Sequence, residues 1–270
     1  MKYFDFHVHA FTDELASRAL SGLAETSGIS PATDGTITGL RRKLEQNGID
    51  RALLLPVATK PSQQATINNW AASVMGGGLF CRGTVHPDAE DVISEVERIK
   101  SIGLCGVKFH SEYQKFCPDE KRMFPIYEKI QELGLFVVFH GGWDPYSEDI
   151  IRATPQSFAA VADTFPELKI IAAHLGGLKL WDDTEKYTAG KYDNMWFDIS
   201  VISRYISDEQ LMRVIRMHGA DRVLFGSDCP WDEPANEIAM IERLPLTEYE
   251  KECIFYRNAE ELMYPYISSP

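Results

Sequence analysis

The sequence predicts an α/β protein built as a single (β/α)8 TIM barrel, and three observations lead to this prediction. Eight short apolar segments alternate with amphipathic segments along the 270 residues, the pattern of parallel strands joined by helices. Several apolar segments, such as ALLL and LFVVF, show no polar alternation, as in strands that are covered on both faces. The length is close to the roughly 250 residues of a typical barrel.

Each predicted strand is a short apolar run that ends in polar residues. The eight strands are predicted at Tyr3–His9, Arg51–Pro56, Leu79–Val85, Leu104–His110, Leu135–His140, Leu168–His174, Met195–Ser200 and Arg222–Asp228. The intervening helices are predicted at Thr38–Asn47, Gln63–Met75, Ala89–Ser101, Glu120–Leu133, Gln156–Phe165, Asp208–His218, Glu233–Leu244 and Thr247–Met263. Gly48 and Gly134 follow two of these helices, where a glycine readily adopts the left-handed backbone of a helix end. The polar and aromatic stretch Leu178–Asn194 permits either a helix or a loop.

The main alternative to a barrel is an open, doubly wound sheet. That fold normally carries a glycine-rich phosphate loop after its first strand. Here the first strand ends in HVHAFTDE, which contains no glycine. We find no linker, low-complexity run or internal repeat, so we expect one domain over residues 1–270.

Composition excludes several classes of partner. The chain has 27 Lys+Arg against 40 Asp+Glu, a formal net charge of −13, which argues against binding to nucleic acid or to anionic lipid. No apolar run is long enough to span a membrane. The five scattered cysteines are typical of reduced thiols, and we expect a cytoplasmic protein. A local Lys or Arg can still bind a small anionic substrate, and exposed barrel helices are compatible with a homo-oligomer.

The polar residues at the predicted strand ends indicate a catalytic site, because these ends share one mouth of a barrel. His7 and His9 lie two residues apart on the first strand and therefore point to the same face. The fourth apolar run offers Lys108 and His110, and three further runs end in His140, His174 and Asp228. Any one of them alone has an ordinary structural explanation, but their occurrence at several separate strand ends favours a shared site.

These residue types suit a divalent cation. Imidazole and carboxylate groups bind Zn²⁺, and also Mn²⁺ or Fe²⁺. An ion with an open coordination position lowers the pKa of bound water to roughly 7 and supplies a nucleophile. Asp228 would bind the ion and accept the proton of the water, and His174 would hydrogen-bond the water or the developing oxyanion.

The chain resembles the amidohydrolase superfamily, in the branch that includes aminocarboxymuconate-semialdehyde decarboxylase, γ-resorcylate decarboxylase and pyrone-dicarboxylate hydrolase. The resemblance covers essentially the whole chain and implies the distorted barrel of that superfamily. Its motifs are FDFHVH, CGVKFH, FHGG, AHLGG, VLFGSDCPW and FYRNAEELM, in that order. Of these, the GSD-x-P-W of the last strand is the most specific.

The resemblance implies roles for individual residues. His7, His9, His140 and Asp228 would be the metal ligands, His174 would be the catalytic histidine, and Asp5 would support the first-strand histidines from below. Some branches use a carbamylated lysine on the fourth strand to bridge two metal ions, and Lys108 lies in that region. In this branch the lysine is generally not a bridging ligand, which favours one ion and a lysine aimed at a substrate carboxylate.

Three residues are candidates for binding the substrate: Lys108, His110 and Arg204. Two cations near the mouth would suit an anionic molecule through charge-assisted hydrogen bonds. The alternative for each cation is a salt bridge on the surface of an acidic protein. His218, at the end of a predicted helix, is interpreted as a cation that interacts with the helix dipole.

Together these features predict a metal-dependent hydrolase with one divalent ion, for which zinc is the first choice. The substrate would be an ester, lactone or amide of a small, carboxylated molecule. The alternative reaction is non-oxidative decarboxylation, or hydration, of an unsaturated or aromatic carboxylic acid on the same scaffold. A barrel that binds without catalysis is the third interpretation, and the complete set of four histidines and one aspartate argues against it.

Overall fold

Nine short parallel strands form the centre of the molecule in the computed structural model, which describes residues 1–145, 147 and 150–267. They are β1 (Phe4–Val8), β2 (Arg51–Leu54), β3 (Leu79–Cys81), β4 (Gly83–Thr84), β5 (Gly106–Phe109), β6 (Phe136–Phe139), β7 (Lys169–Ala172), β8 (Met195–Asp198) and β9 (Val223–Leu224). Strands β1–β3 pair in that order, and β4–β9 pair in a second run. Only Arg82 separates β3 from β4, so these two strands are one interrupted strand of the barrel.

Backbone hydrogen bonds connect the two runs of strands into a ring. Arg82 N donates to Leu54 O over 3.0 Å beside the interruption. At the other junction, Phe6 N donates to Phe225 O over 2.8 Å, and Asp228 N donates to His7 O over 2.8 Å. The last strand therefore pairs with the first, and the predicted parallel α/β barrel is confirmed.

Strand β6 shows why the apolar runs do not alternate with polar residues. Phe136 and Val138 belong to one buried cluster, together with Phe4 and Phe6 of β1. The residues between them, Val137 and Phe139, belong to the larger cluster beneath the helices. Both faces of the strand are covered, as in other parallel barrels, and each apolar side chain contributes to one of two separate cores.

The helices surround the ring of strands. In the described part of the chain they are α1 (Asp13–Ser27), α2 (Ile37–Gln46), α3 (Gln64–Val74), α4 (Val92–Ser101), α5 (Ser111–Gln114), α6 (Phe124–Glu132), α7 (Pro155–Thr164), α8 (Trp181–Tyr187), α9 (Asp208–His218), α10 (Pro234–Glu242), α11 (Glu248–Glu252) and α12 (Asn258–Ile267). A π-helical turn over Cys253–Arg257 joins α11 to α12, where one continuous helix was expected. None of these helices combines the length and apolar character needed to cross a membrane.

Helix α1 is the longest element that the sequence pattern did not predict. It lies between β1 and α2, and its buried residues Ala16 and Leu20 face Gly35. Gly35 adopts a φ of +77°, and an added Cβ there would lie 2.9 Å from a methyl carbon of Leu20. Leu15, on another face of the helix, is 43% exposed. A helix with so few buried apolar residues has a weak periodic signal, which explains why it was missed.

The dipole interpretation of His218 is wrong. The side chain is 1% exposed and stacks on the ring of Phe197, with 3.8 Å between the ring centroids. Its Nδ1 accepts a hydrogen bond from the backbone N–H of Gly190. Burial lowers the pKa of His218 to about 3, so the ring is neutral at neutral pH and carries no charge for a helix dipole to stabilise.

Burial of neutral His218 predicts a pH-dependent stability. The unfolded chain binds a proton on this ring below about pH 6.5, whereas the folded chain does so only near pH 3. Stability therefore falls as the pH drops through this window, by up to about 1.4 kcal/mol per pH unit for this group. Denaturant unfolding of wild type and His218→Gln from pH 7 to pH 5 measures the effect, and we expect a shallower slope in the variant. Equal slopes would contradict a buried, neutral His218.

Candidate active site

The first histidine pair meets Asp228 at the junction between the first and last strands. A register irregularity between Asp5 and Val8 breaks the regular pairing of β1 with β2 along the segment that carries His7. His9 Nε2 lies 3.0 Å, and His7 Nε2 3.4 Å, from Asp228 Oδ1. The planes of the His7 and His9 rings are inclined by 64° to each other. One donor atom from each histidine and one from Asp228 lie within 4.8 Å of one another.

Burial and neighbouring charges determine the protonation of this group. Burial, together with the ammonium of Lys108, lowers the pKa of His7 to about 3, which leaves the ring neutral at neutral pH. Burial alone would raise the pKa of Asp228, but the interactions with His7 and His9 outweigh it and hold that pKa well below its usual range. Asp228 is therefore a carboxylate, and His7 has a lone pair available.

Asp198 orients His7 and was not identified in the sequence. Its Oδ2 accepts from His7 Nδ1 over 2.8 Å, which leaves Nε2 of the neutral ring unprotonated and directed at Asp228. Its Oδ1 accepts from the backbone N–H of His174 over 3.0 Å and from the N–H and hydroxyl of Ser200. The signal was the WFD ending of β8, which is as polar as the other strand ends.

Asp5 contacts the backbone of both the segment that carries His7 and the segment that carries Asp228. Its Oδ1 accepts from the backbone N–H of His7 over 3.2 Å and of Ser227 over 2.9 Å, and its Oδ2 accepts from the Ser227 hydroxyl over 2.5 Å. Burial raises the pKa of Asp5 to about 7, against the opposing effect of these hydrogen bonds. Asp5 therefore ties the start of β1 to the segment that carries Asp228.

A chain of hydrogen bonds determines the tautomers of His174 and His140. The carbonyl oxygen of Ser200 can only accept, so His174 Nδ1 donates to it over 3.0 Å. Nε2 of a neutral His174 then accepts from His140 Nδ1, also over 3.0 Å. This leaves His140 Nε2 as an unprotonated atom, and it is buried without a hydrogen-bond partner among the described residues. A buried nitrogen with an unused lone pair is available to bind a cation.

His110 lies between two rings rather than beside a cation site. Its ring stacks on His140, with 4.1 Å between centroids and 12° between planes, and on Tyr113 at 3.5 Å. His110, His140 and Asp144 have donor atoms close enough to form a cation site. However, the lone pairs of two stacked, parallel rings lie in separate planes and do not converge on one ion. We therefore assign no metal to this group.

Lys108 lies beside the histidine pair in the interior of the barrel. Its Nζ is 3.4 Å from His7 Nε2, and the residue is 1% exposed. Burial lowers its pKa to about 8, so the ammonium form still predominates at neutral pH. Lys108 thus supplies a positive charge next to a site that holds one buried carboxylate from Asp198 and another from Asp228.

The histidines of the site, together with Lys108 and Asp228, line a cavity of about 450 Å³. Its walls include Leu55, Ile67, Leu178 and a set of aromatic side chains, namely Phe11, Trp70, Tyr113, Trp143, Tyr205 and Trp231. Helix α1 contributes Leu15, Arg18 and Ala19, so the unexpected helix forms part of the cavity wall. The volume and the apolar lining suit a small organic molecule.

Arg204 does not line the cavity. Its guanidinium forms an ion pair with Asp232, at 2.6 Å and 2.9 Å, and also donates to the carbonyl oxygen of Trp231 over 3.2 Å. The side chain is about one-third exposed, whereas Asp232 is fully buried. Arg204 therefore supports the loop that carries Trp231, and we leave it out of the proposed substrate contacts.

Two site residues have an uncommon backbone conformation. His174 and Asp228 adopt φ values of +59° and +63°, in the left-handed region that costs a side chain with a Cβ about 1–2 kcal/mol. The N–H of His174 donates a hydrogen bond to Asp198, and the N–H of Asp228 donates one to the carbonyl oxygen of His7. Strain retained at two converging residues is typical of a functional site.

The donor set fits a divalent cation. His7 Nε2, His9 Nε2 and an Asp228 oxygen form one group, and the orphaned His140 Nε2 belongs to the same cavity. Two nitrogens and one carboxylate oxygen are a donor set that Zn²⁺, Mn²⁺ and Fe²⁺ accept. The sequence-predicted residues that line the cavity are thus His7, His9, Lys108, His110, His140, His174 and Asp228, and Asp5 lies beneath them.

Comparison with known proteins identifies the family of this chain. The model of the amidohydrolase family matches residues 5–263. A γ-resorcylate decarboxylase from a Polaromonas species is 23% identical over 218 residues, which are 65% of this chain and 67% of that protein.

Solved structures match over nearly the whole chain. An uncharacterized TIM-barrel protein from Bordetella bronchiseptica has a TM-score of 0.76 at 16% identity and covers 98% of this chain and 99% of its own. A 5-carboxyvanillate decarboxylase from Novosphingobium aromaticivorans, with bound manganese, has a TM-score of 0.71 at 17% identity, covering 97% and 96%. A probable 2-pyrone-4,6-dicarboxylic acid hydrolase from Acinetobacter baumannii has a TM-score of 0.69 at 14% identity. The match covers 98% of this chain and 100% of that protein's chain. At these identities the likeness shows the fold.

The placement of Arg204 predicts that it stabilises the protein without binding the substrate. Arg204→Met leaves the buried Asp232 without its cation, and we expect the free energy of unfolding to fall by about 1–3 kcal/mol. The affinity for a carboxylate probe such as benzoate should stay within about twofold of wild type. Denaturant unfolding and titration calorimetry measure the two quantities. A tenfold loss of benzoate affinity at unchanged stability would restore Arg204 as a substrate contact.

Proposed function

The chain belongs to the amidohydrolase family, and we propose that it is a metal-dependent hydrolase that cleaves an ester, lactone or amide bond in a small, carboxylated molecule. The observation that carries the proposal is the meeting of two imidazoles and an ionised Asp228 in the wall of a cavity that is lined largely by apolar residues. Such a site combines a cation ligand set, a base and an apolar-lined space for the substrate.

We assign His7, His9, His140 and Asp228 as the residues that would hold the ion. Zinc is the first choice, and manganese or iron suits the same donors. When bound, the ion would polarise a carbonyl oxygen and lower the pKa of a water molecule. Asp198 supports this assignment, because a ligating histidine usually donates its other N–H to a carboxylate or carbonyl group.

Proton transfer is assigned to Asp228, and stabilisation of the developing oxyanion is assigned to His174. Asp228 is ionised, so it can accept a proton from the attacking water and later donate it to the leaving group. His174 lines the cavity next to His140, and its Nε2 would hydrogen-bond the substrate oxygen on which negative charge develops once that nitrogen carries a proton, because Nδ1 already donates to Ser200 O. In the structure, His174 Nε2 is hydrogen-bonded to His140 Nδ1, so the substrate would have to replace this hydrogen bond.

The substrate is proposed to be anionic because cations occur in the cavity of an otherwise acidic protein. Lys108 lies beside the histidine pair, and Arg18 of α1 lines the same cavity. A substrate carboxylate next to Lys108 would gain a charge-assisted hydrogen bond in a buried setting. His110, stacked against His140, is assigned to the wall that contacts the rest of the substrate.

Decarboxylation of an aromatic carboxylic acid is the second candidate. The observation that favours it is the aromatic lining of the cavity by Phe11, Trp70, Trp143, Tyr205 and Trp231, which suits a planar ring. The curated relative, which is named as a decarboxylase, supports the same reading. Release of CO₂ from an aromatic acid would identify this reaction, whereas hydrolysis of a lactone or amide would support the first.

The ligand assignment predicts that metal content depends on His7. We expect about one zinc or manganese ion per purified chain and a complete loss of it in His7→Ala, because that variant removes a ring with an available lone pair. Plasma mass spectrometry measures the metal, and circular dichroism checks that the barrel is folded.

His86→Ala is the matched control. His86 is buried but lies outside the cavity lining, so the variant protein should keep its metal. Two ions per chain would instead support a carbamylated Lys108 that bridges the two metal ions. Enzymatic activity in protein without metal would refute the ligand assignment and leave His140, His174 and Asp228 as an acid–base set.

The hydrogen bond between Asp198 and His7 predicts a role for Asp198 in metal affinity. Asp198→Asn keeps the volume of the side chain but presents an amide N–H₂ group toward His7 Nδ1 when its oxygen remains on the Ser200 side. That change favours the tautomer with a proton on Nε2, which cannot bind an ion. We expect a 10- to 100-fold loss of affinity in a manganese titration of chelator-treated protein. Asp232→Asn, a change at another buried carboxylate, should leave the affinity unchanged.

A further inference from the structure

We propose that Lys179 is a positioning residue that sets the aromatic wall of the cavity and thereby favours a planar ring in the substrate. The proposal rests on the function assigned to this cavity and goes beyond it by naming the shape of the molecule that the cavity selects. Lys179 itself does not line the cavity, and it acts through two rings that do.

Three loops that follow consecutive strands meet at Lys179. Trp143 follows β6, Lys179 follows β7 and Tyr205 follows β8. The Lys179 ammonium lies 3.4 Å from the centroid of the Trp143 ring and 4.7 Å from that of Tyr205. The two rings are 6.1 Å apart and inclined by 71°, so one cation contacts both members of an edge-to-face pair.

The backbone holds Lys179 at this position. Trp143 N donates to Leu178 O, and Leu178 N donates to Gly141 O, each over 2.9 Å, so the two loops are joined next to the lysine. Lys179 adopts a φ of +62°, an unfavourable conformation for a residue with a Cβ. In the part of the chain that the structure describes, Lys179 forms no ion pair with a carboxylate, so the two rings are its partners.

The consequence is a wall that is rigid and electrostatically polarised. Trp143 and Tyr205 line the same cavity as His140 and His174. A cation on a ring attracts the electrons of that ring, which makes the ring a better partner for an electron-rich or anionic planar molecule. A puckered or aliphatic molecule gains less from such a wall because it cannot stack flat on Trp143.

The experiment compares two carboxylates of similar size that differ in ring shape. Benzoate is planar, and cyclohexanecarboxylate is puckered. Their affinities are measured by titration calorimetry on metal-loaded wild type and on Lys179→Met, Lys179→Arg and Lys186→Met. Lys186 is the matched control, because its ammonium lies 4.7 Å from the ring of Tyr187 on α8, and neither residue lines the cavity.

We expect wild type to prefer benzoate and Lys179→Met to lose about 5- to 10-fold in benzoate affinity, with cyclohexanecarboxylate changed by less than twofold. Lys179→Arg should restore most of the preference, because a guanidinium also stacks on aromatic rings. Lys186→Met should resemble wild type. An unchanged preference in Lys179→Met, or an equal loss in both Met variants, would overturn the proposal.

A second measurement separates this proposal from the assigned function. In protein labelled with 5-fluorotryptophan, the resonance of Trp143 is identified with Trp143→Phe. We expect this resonance to shift in Lys179→Met and to stay in place in Lys186→Met. If wild type binds neither carboxylate, the assigned substrate class fails, and the fluorine resonance still decides whether Lys179 positions Trp143. No shift would overturn the positioning role.

Discussion

The buried carboxylate of Asp198 is the interaction on which the rest of the site depends. It holds His7 Nδ1, the backbone N–H of His174 and the N–H and hydroxyl of Ser200, and it is fully buried. Burying a carboxylate is costly unless its oxygens are hydrogen-bonded, and these donors offset that cost. The same bonds fix the tautomer of His7 and keep His174 in a left-handed conformation. A single group thus sets both the chemistry and the geometry of the histidines.

Closure of the barrel brings this group together. His7 and Asp198 are 191 residues apart, and Asp5 contacts Ser227 across 222 residues. Both contacts exist only because the last strands lie beside the first. The hydrogen bonds of Asp5 reinforce the junction at which Asp228 meets His9. The metal ligands we propose therefore depend on the same closure that completes the fold, which links the stability of the barrel to the precision of the site.

The net charge of the whole chain and the charges that line the cavity have separate roles. A net charge of −13 argues against nucleic acid and anionic lipid as partners. Lys108 supplies a positive charge beside the buried carboxylates of Asp198 and Asp228, where burial strengthens electrostatic interactions. Around it, aromatic residues from several loops form the wall, and Lys179 joins two of them. The scaffold supplies the reacting groups from strand ends, and the loops supply the shape of the cavity.

The sequence alone determined the barrel and the residues at its strand ends. Apolar runs alternating with amphipathic helices and ending in His9, His140, His174 and Asp228 carry a strong local signal, because strand ends share one mouth. Only the tertiary structure decided what each side chain contacts. It paired Arg204 with Asp232, showed His218 to be buried, revealed Asp198 and placed α1 along the cavity. These outcomes depend on long-range contacts and desolvation, which leave no periodic trace in the sequence.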